Sequence, residues 1–259
     1  MDSLTLKDVL AIVLSMAAFV LSLVNLYLSN DDRVRTLRAQ ISDTIGKLLS
    51  AEAQARQLNA EINSPNVTRE DYARLTAQRQ SVNDLRLSIA QLAIYFLKQK
   101  RIRSRDLIAD AEYAAVARAL ADNNDIGAAE YWEKAIKRAA PGVYQARLRA
   151  FYAEFLFRLG HHDRARALYR ESLQFGSELS DILRWEAMFN YIKWAKSEAN
   201  VGNSKEADDC FNNAKKMYEG ITTPDLVTRG RDKVLPGERA DIEHRLSRAR
   251  EIKLASAQI

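Results

Sequence analysis

Few residues in this chain suit catalysis or metal binding: three histidines, His161, His162 and His244, and one cysteine, Cys210. His161 and His162 are adjacent at a helix entrance, where neighbouring side chains point in different directions, so they make a poor metal pair. Cys210 stands beside Phe211 with no basic partner nearby, and a thiol there reads as a packed small residue rather than a nucleophile. A single cysteine also excludes an internal disulfide framework and a Cys-rich metal site. No Gly-rich phosphate loop, His-Glu-x-x-His helix or nucleophile elbow occurs. The carboxylates recur at helical spacing from Lys and Arg, the pattern of solvated helix faces. The expectation is a binding protein without catalytic residues, metal or cofactor.

The net charge of +5 is unevenly placed. Residues 1–30 carry −1, residues 31–105 carry fourteen Lys/Arg against eight Asp/Glu, and residues 106–259 balance. The excess includes Lys98, Lys100, Arg101, Arg103 and Arg105. A basic cluster beside a hydrophobic segment reads first as a contact for anionic lipid headgroups, with a solvated linker as the alternative. It is short and lacks interleaved aromatics beyond Tyr95 and Phe96, so no nucleic acid is expected.

Val9 to Leu28 is twenty residues without a charge. At about 1.5 Å per residue it spans roughly the 30 Å of a bilayer core, longer than a signal-peptide h-region and without a small-x-small cleavage site. Residues 1–30 are therefore expected to be a transmembrane anchor. Lys7 precedes the run and Arg33, Arg35 and Arg38 follow it, which places the carboxyl-terminal bulk in the cytoplasm. The Arg-rich, Ala-rich composition favours a bacterial inner membrane. Ala11, Ser15, Ala18, Ser22 and Asn25 form a small or weakly polar stripe suited to self-association, so a homo-oligomer is one expectation.

Residues 31–105 read as a coiled-coil-like helical hairpin. Val34, Leu37, Ile41, Leu48, Ala51, Ala55, Leu58 and Ile62 follow an a/d pattern with Thr44 as its weak member. Leu75, Val82, Leu85, Ile89, Leu92 and Phe96 repeat it with Gln78 as the exception. Between them Asn63-Ser64-Pro65-Asn66 breaks the helix, and Thr68 with Asp71 is a capping-box variant. The hairpin would return residues 98–105 towards the membrane.

From 106 to 221 one spacing returns three times: Ala128 with Trp132, Ala165 with Tyr169, and Ala207 with Phe211, followed by Ala135, Ser172 and Ala214. Gly160 and Gly202 precede the second and third copies, whereas Asn123 and Asn124 stand at the first turn. At these residues the chain resembles the tetratricopeptide repeat family, a helix–turn–helix of about 34 residues. Tyr152-Ala153 and Trp194-Ala195 occupy the family's Leu-Gly positions, and Glu198 departs from its following aromatic. The resemblance implies about three helix pairs in an α-solenoid, with a concave groove including Tyr113, Arg147, Phe151, Glu154, Phe189, Lys193 and Lys196. It also implies a protein or peptide partner of amphipathic or acidic character. Of the family's carboxylate-clamp positions only Lys193 agrees, with Tyr113, Ala117, Phe151 and Phe189 at the others, so that clamp is not expected. Residues 222–259 are expected to be a loop followed by a capping helix from Gly237, with Ile242, Leu246 and Ile252 covering the stack.

The fold class expected is all-α: anchor, hairpin, solenoid and cap. The function expected is a membrane-anchored scaffold or adaptor that recruits a protein partner. The alternatives are a structural, oligomer-forming membrane protein and an external or periplasmic ancillary chaperone of export machinery.

Overall fold

The computed structural model describes residues 6–64, 67–98, 109–174 and 180–256, the side chains of 6–21 and 23–31 falling outside the description. All secondary structure among the described residues is helical. The chain divides into two compact units, Met1–Ile108 and Ala109–Ile259.

The first unit is α1 (Leu6–Ile62) packed on α2 (Arg69–Leu97). Nothing in the sequence of α1 stops it at Asn30, and 57 residues run as one helix of roughly 85 Å. α2 starts where Thr68 Oγ1 accepts from the Asp71 N–H at 3.1 Å and donates to the Asp71 carboxylate at 2.8 Å. Along α1 the expected seam, its weak member Thr44 included, is buried from Leu37 to Leu58, with Ile45 and Glu52 added to it. Along α2 the seam changes phase. Leu75 and Val82 are buried as expected, but beyond them the buried residues are Arg86, Ala90 and Ala93, and Leu85 and Leu92 are half exposed. Ala90 and Ala93 let the α2 backbone approach closely in a way that Leu at the neighbouring positions would not.

The second unit contains α3 (Asp110–Asp122), α4 (Ala128–Arg138), α5 (Val143–Arg158), α6 (His162–Ser172), α7 (Asp181–Asn200), α8 (Ser204–Glu219), α9 (Pro224–Arg229) and α10 (Leu235–Ser256). α3 pairs with α4, α5 with α6 and α7 with α8; α5 also packs on α4 and α7, and α7 on α6 and α10. Successive hairpins thus lie against one another in chain order. Ala128, Ala165 and Ala207 are fully buried, as are Ala135, Ser172 and Ala214, and Trp132, Tyr169 and Phe211 fill the spaces beyond them.

The three hairpin turns are built alike. The backbone turns through positive φ at Asn124 (54°), Gly160 (82°) and Gly202 (79°). The next residue's N–H then reaches back five residues, from Asp125 to Leu120 O, His161 to Leu156 O and Asn203 to Glu198 O, at 2.9–3.0 Å. Asn is the non-glycine residue most at ease in this region, so the first turn closes like the glycine turns.

Residues 222–236 do not form the expected loop. Pro224 enters α9 in the first turn, where its missing N–H costs nothing, and a π-helical turn over Gly230–Val234 joins α9 to α10. Pro236 cannot donate to an upstream carbonyl, and the widened turn, in which the Leu235 N–H donates to Gly230 O, precedes it. Gly230 lies against the Tyr218 ring, whose hydroxyl donates to Val227 O at 2.7 Å. α10 covers α7 and α8 with Ile242, Leu246 and Ala249, while Ile252 is exposed.

Candidate functional site

Glu198 is the charged centre of the repeat unit. Its side chain is fully buried, and its two oxygens accept from Arg166 Nε at 2.7 Å and Nη2 at 2.9 Å, Trp194 Nε1 at 2.9 Å and Asn203 Nδ2 at 2.8 Å. Burial pushes this carboxyl up, but the hydrogen bonds from Arg166, Asn203 and Trp194 outweigh it and hold the group below its ordinary value. The departure from the repeat pattern is therefore a clasp joining α6, α7 and the turn that follows. Beside it Tyr169 stacks on Trp194, centroids 5.5 Å apart, and shares a 3.1 Å hydrogen bond with Ser197.

Asp181 makes a second clasp. One carboxylate oxygen accepts from the backbone N–H and hydroxyl of both Thr222 and Thr223 at 2.6–3.0 Å, tying the start of α7 to the segment after α8. The Thr223 hydroxyl, with smaller help from the backbone and Thr222, lowers this carboxyl to about 2.

Between α5, α7 and α10 the surface sinks into a trough of about 500 Å³, lined by Glu154, Phe157 and Arg158 of α5, Lys193, Lys196, Ser197 and Asn200 of α7, and Arg245 of α10. A neighbouring depression of about 320 Å³ shares Asn200 and Arg245 and adds Asp241, His244 and Arg248. The Arg245 guanidinium donates to Asp241 at 3.0 Å and to Asn200 Oδ1 at 3.1 Å between them.

The expected groove residues do not all share one surface. Glu154, Lys193 and Lys196 line the trough. Phe151 is not part of the lining, its ring lying 4.0 Å from the Lys193 ammonium on α7, 5.0 Å from the Arg118 guanidinium on α3, and stacked on Trp132. Arg147 forms a two-pronged ion pair with buried Glu186, at 3.0 and 2.6 Å. Phe189 packs edge-on against Trp185 within the core around Ile192 and Phe211. Tyr113 does not line the trough: its ring is buried against Tyr131 of α4, with Lys134 and Arg138 over it.

Lys196 is held by Glu238 and by Asp241 at 2.7 Å. Lys193 differs, having no carboxylate in ion-pair range among the described residues. Burial lowers its ammonium pKa, partly offset by Glu154 and Glu186. Arg158 and Arg248, both exposed, are likewise outside ion-pair range of any described carboxylate. The two depressions thus combine cations paired within the fold and cations with no described carboxylate partner. His244, Arg245 and Arg248 were not legible as site residues, because α10 was expected to serve only as a cap, and Arg158, at the end of α5, was not among the expected groove residues.

Of the expected lipid-facing cluster, Lys98 is exposed at the end of α2, and Lys100, Arg101, Arg103 and Arg105 lie outside the described residues. Of the expected anchor stripe, Ser22 is exposed and the side chains of Ala11, Ser15, Ala18 and Asn25 lie outside them. Among the described residues no helix is long and apolar enough to cross a membrane, and no group of three or more His, Cys, Asp or Glu is arranged to hold a metal. Cys210 is buried, and burial raises its thiol to about 12. Comparison of the chain with family models, with curated proteins and with solved structures gives no match.

Proposed function

We propose that this chain is a membrane-anchored adaptor whose second unit, a tetratricopeptide-like α-solenoid, captures an acidic or amphipathic segment of a protein partner in the α5–α7–α10 trough. The observation that carries the reading is the division of its cations. Arg147, Lys196 and Arg245 are paired inside the fold, while Lys193 and Arg158 line the trough and Arg248 the neighbouring depression without a carboxylate partner among the described residues. An extended acidic peptide crossing the trough would pair with these cations while its apolar side chains meet Phe157. Anchoring is supported by the uncharged run from Val9 to Leu28 on the continuous helix α1, and a cytoplasmic location for the rest by the three arginines that follow. The reading assigns no catalytic role to any residue.

Co-purification of the full-length protein from mild detergent tests this. Arg158→Glu with Arg248→Glu, at two exposed positions, should release a partner that wild type retains, with an unchanged melting temperature. Retention of every partner by that variant would reject the trough as the binding surface.

A second reading, an oligomer-forming membrane protein, is favoured by one observation. Leu85, Leu92 and Tyr95 lie half exposed or more along one face of α2 at heptad-like spacing. A monomeric mass in detergent would remove it.

A further inference from the structure

Charge in the hairpin is segregated by height. Between residues 42 and 90 six acidic and six basic residues cancel. Several form local pairs, Lys47 with Asp43 at 2.7 Å, Arg74 with Asp71 at 3.1 Å, and Arg56 with Glu52. At the other end the balance fails. Arg33, Arg35 and Arg38 crowd three cations into two turns of α1, and α2 ends at Lys98. Arg33, Arg38 and Lys98 are exposed, and none has a carboxylate in ion-pair range among the described residues.

The two segments lie sixty residues apart in the chain, and the fold brings them to one level. Ala51, Ala55 and Leu58 share a core cluster with Leu75 and Val82. Equal rise along the two antiparallel helices then sets Lys98 beside the turn at residue 35. On the continuous helix α1, Arg33 and Arg38 stand roughly 8 and 15 Å beyond Leu28. A headgroup layer is about 5–8 Å thick and a Debye length at physiological salt about 8 Å, so the whole band lies within electrostatic reach of the leaflet.

We infer that Arg33, Arg38 and Lys98 form a two-helix basic collar that holds the headgroups of anionic phospholipids around the exit of α1. The inference rests on the membrane-anchor reading above and adds to it a lipid class and a site. Neither segment is sufficient alone, since Asp31 and Asp32 offset two of the three α1 cations in formal charge and Lys98 is the only described cation at the end of α2. The neutral remainder of the hairpin stands away from the surface, so attraction acts at one end only.

Full-length protein in mild detergent is mixed with equal amounts of phosphatidylglycerol and phosphatidylcholine, and native mass spectrometry counts the lipids retained. Wild type should keep phosphatidylglycerol in preference, each cation contributing about five-fold in occupancy. Arg33→Gln/Arg38→Gln/Lys98→Gln should lose that preference. Lys47→Gln/Arg69→Gln/Arg74→Gln, which removes the same charge from the far part of the hairpin, should keep it. Equal retention of the two lipids by wild type, or equal losses in the two variants, overturns the collar. Circular dichroism confirms that both variants remain helical. Alkaline carbonate extraction of vesicle-reconstituted wild type separates the failures: release into the wash removes the anchor reading itself, whereas retention without lipid preference removes only the collar.

Discussion

Replacing Glu198 with Leu should be among the most costly single changes in the second unit. Leu is the natural choice because Leu120 and Leu156 accept the same backbone hydrogen bond in the first two hairpins. The substitution removes a fully buried carboxylate and leaves the Arg166 guanidinium, the Trp194 indole and the Asn203 amide without their acceptor. Breaking a buried pair from one side costs about 3–5 kcal/mol. Arg166 keeps a quarter of its side chain in solvent and has Asp163 at 3.4 Å, which argues for the lower end, about 3 kcal/mol. All three tryptophans, Trp132, Trp185 and Trp194, belong to the second unit, so tryptophan fluorescence of the full chain in urea follows that unit alone. With a slope of about 2 kcal/mol/M the midpoint should fall by about 1.5 M. Adding Arg166→Ala removes the stranded charge and recreates the apolar combination of Leu156 with Ala129 one hairpin earlier, so the double variant should recover most of the loss. A single-variant shift below about 0.3 M, or an Arg166→Ala effect that simply adds to it, would refute the clasp.

Three further outcomes follow from the same geometry. Asp181 is lowered in the folded chain relative to its ordinary 3.8, so its stabilisation is complete above about pH 5 and is lost as pH falls from there towards 2; Asp181→Asn should abolish this segment of the acid-denaturation curve and leave the alkaline side unchanged. Gly160 has open space where a Cβ would stand, so Gly160→Ala should cost only the positive-φ penalty of about 1 kcal/mol by urea titration, whereas Asn124→Gly should be neutral or slightly stabilising. Cys210 should resist iodoacetamide at pH 8 in the folded protein and react on addition of urea, because burial keeps it a thiol; rapid native labelling, read by intact mass, would contradict its placement.

What the sequence showed depended on how far away the deciding contact lay. The Ala–aromatic spacing was readable because burial of a small residue and of the aromatic four positions later is a property of one helix face. The positive-φ turns were readable at Gly160 and Gly202 from residue type alone, and less so at Asn124. The seam of α2 was not, because Leu85-Leu92 and Arg86-Ala90-Ala93 are both heptad phases, and only the packed partner chooses between them. Glu198 was legible only as a departure from an aromatic position and Asp181 not at all, since the Arg166 that pairs with the first and the Thr222 that donates to the second stand 32 and 41 residues away in the chain. Tyr113 failed as a groove residue for a related reason: its place on α3 was inferable, but the cations of α4 that cover it were not.

The π-helical turn at Gly230–Val234 is geometrically an α-helix holding one surplus residue. Every side chain beyond it is phased about 100° away from where an uninterrupted helix begun at Pro224 would put it. Ile242, Leu246 and Ala249 meet α7 and α8 in that offset phase. A one-residue deletion within 230–234 would therefore turn the apolar stripe to water, and a compensating insertion between there and Ile242 would restore it. The segment behaves as a vernier, and length changes in it can be tolerated only in pairs.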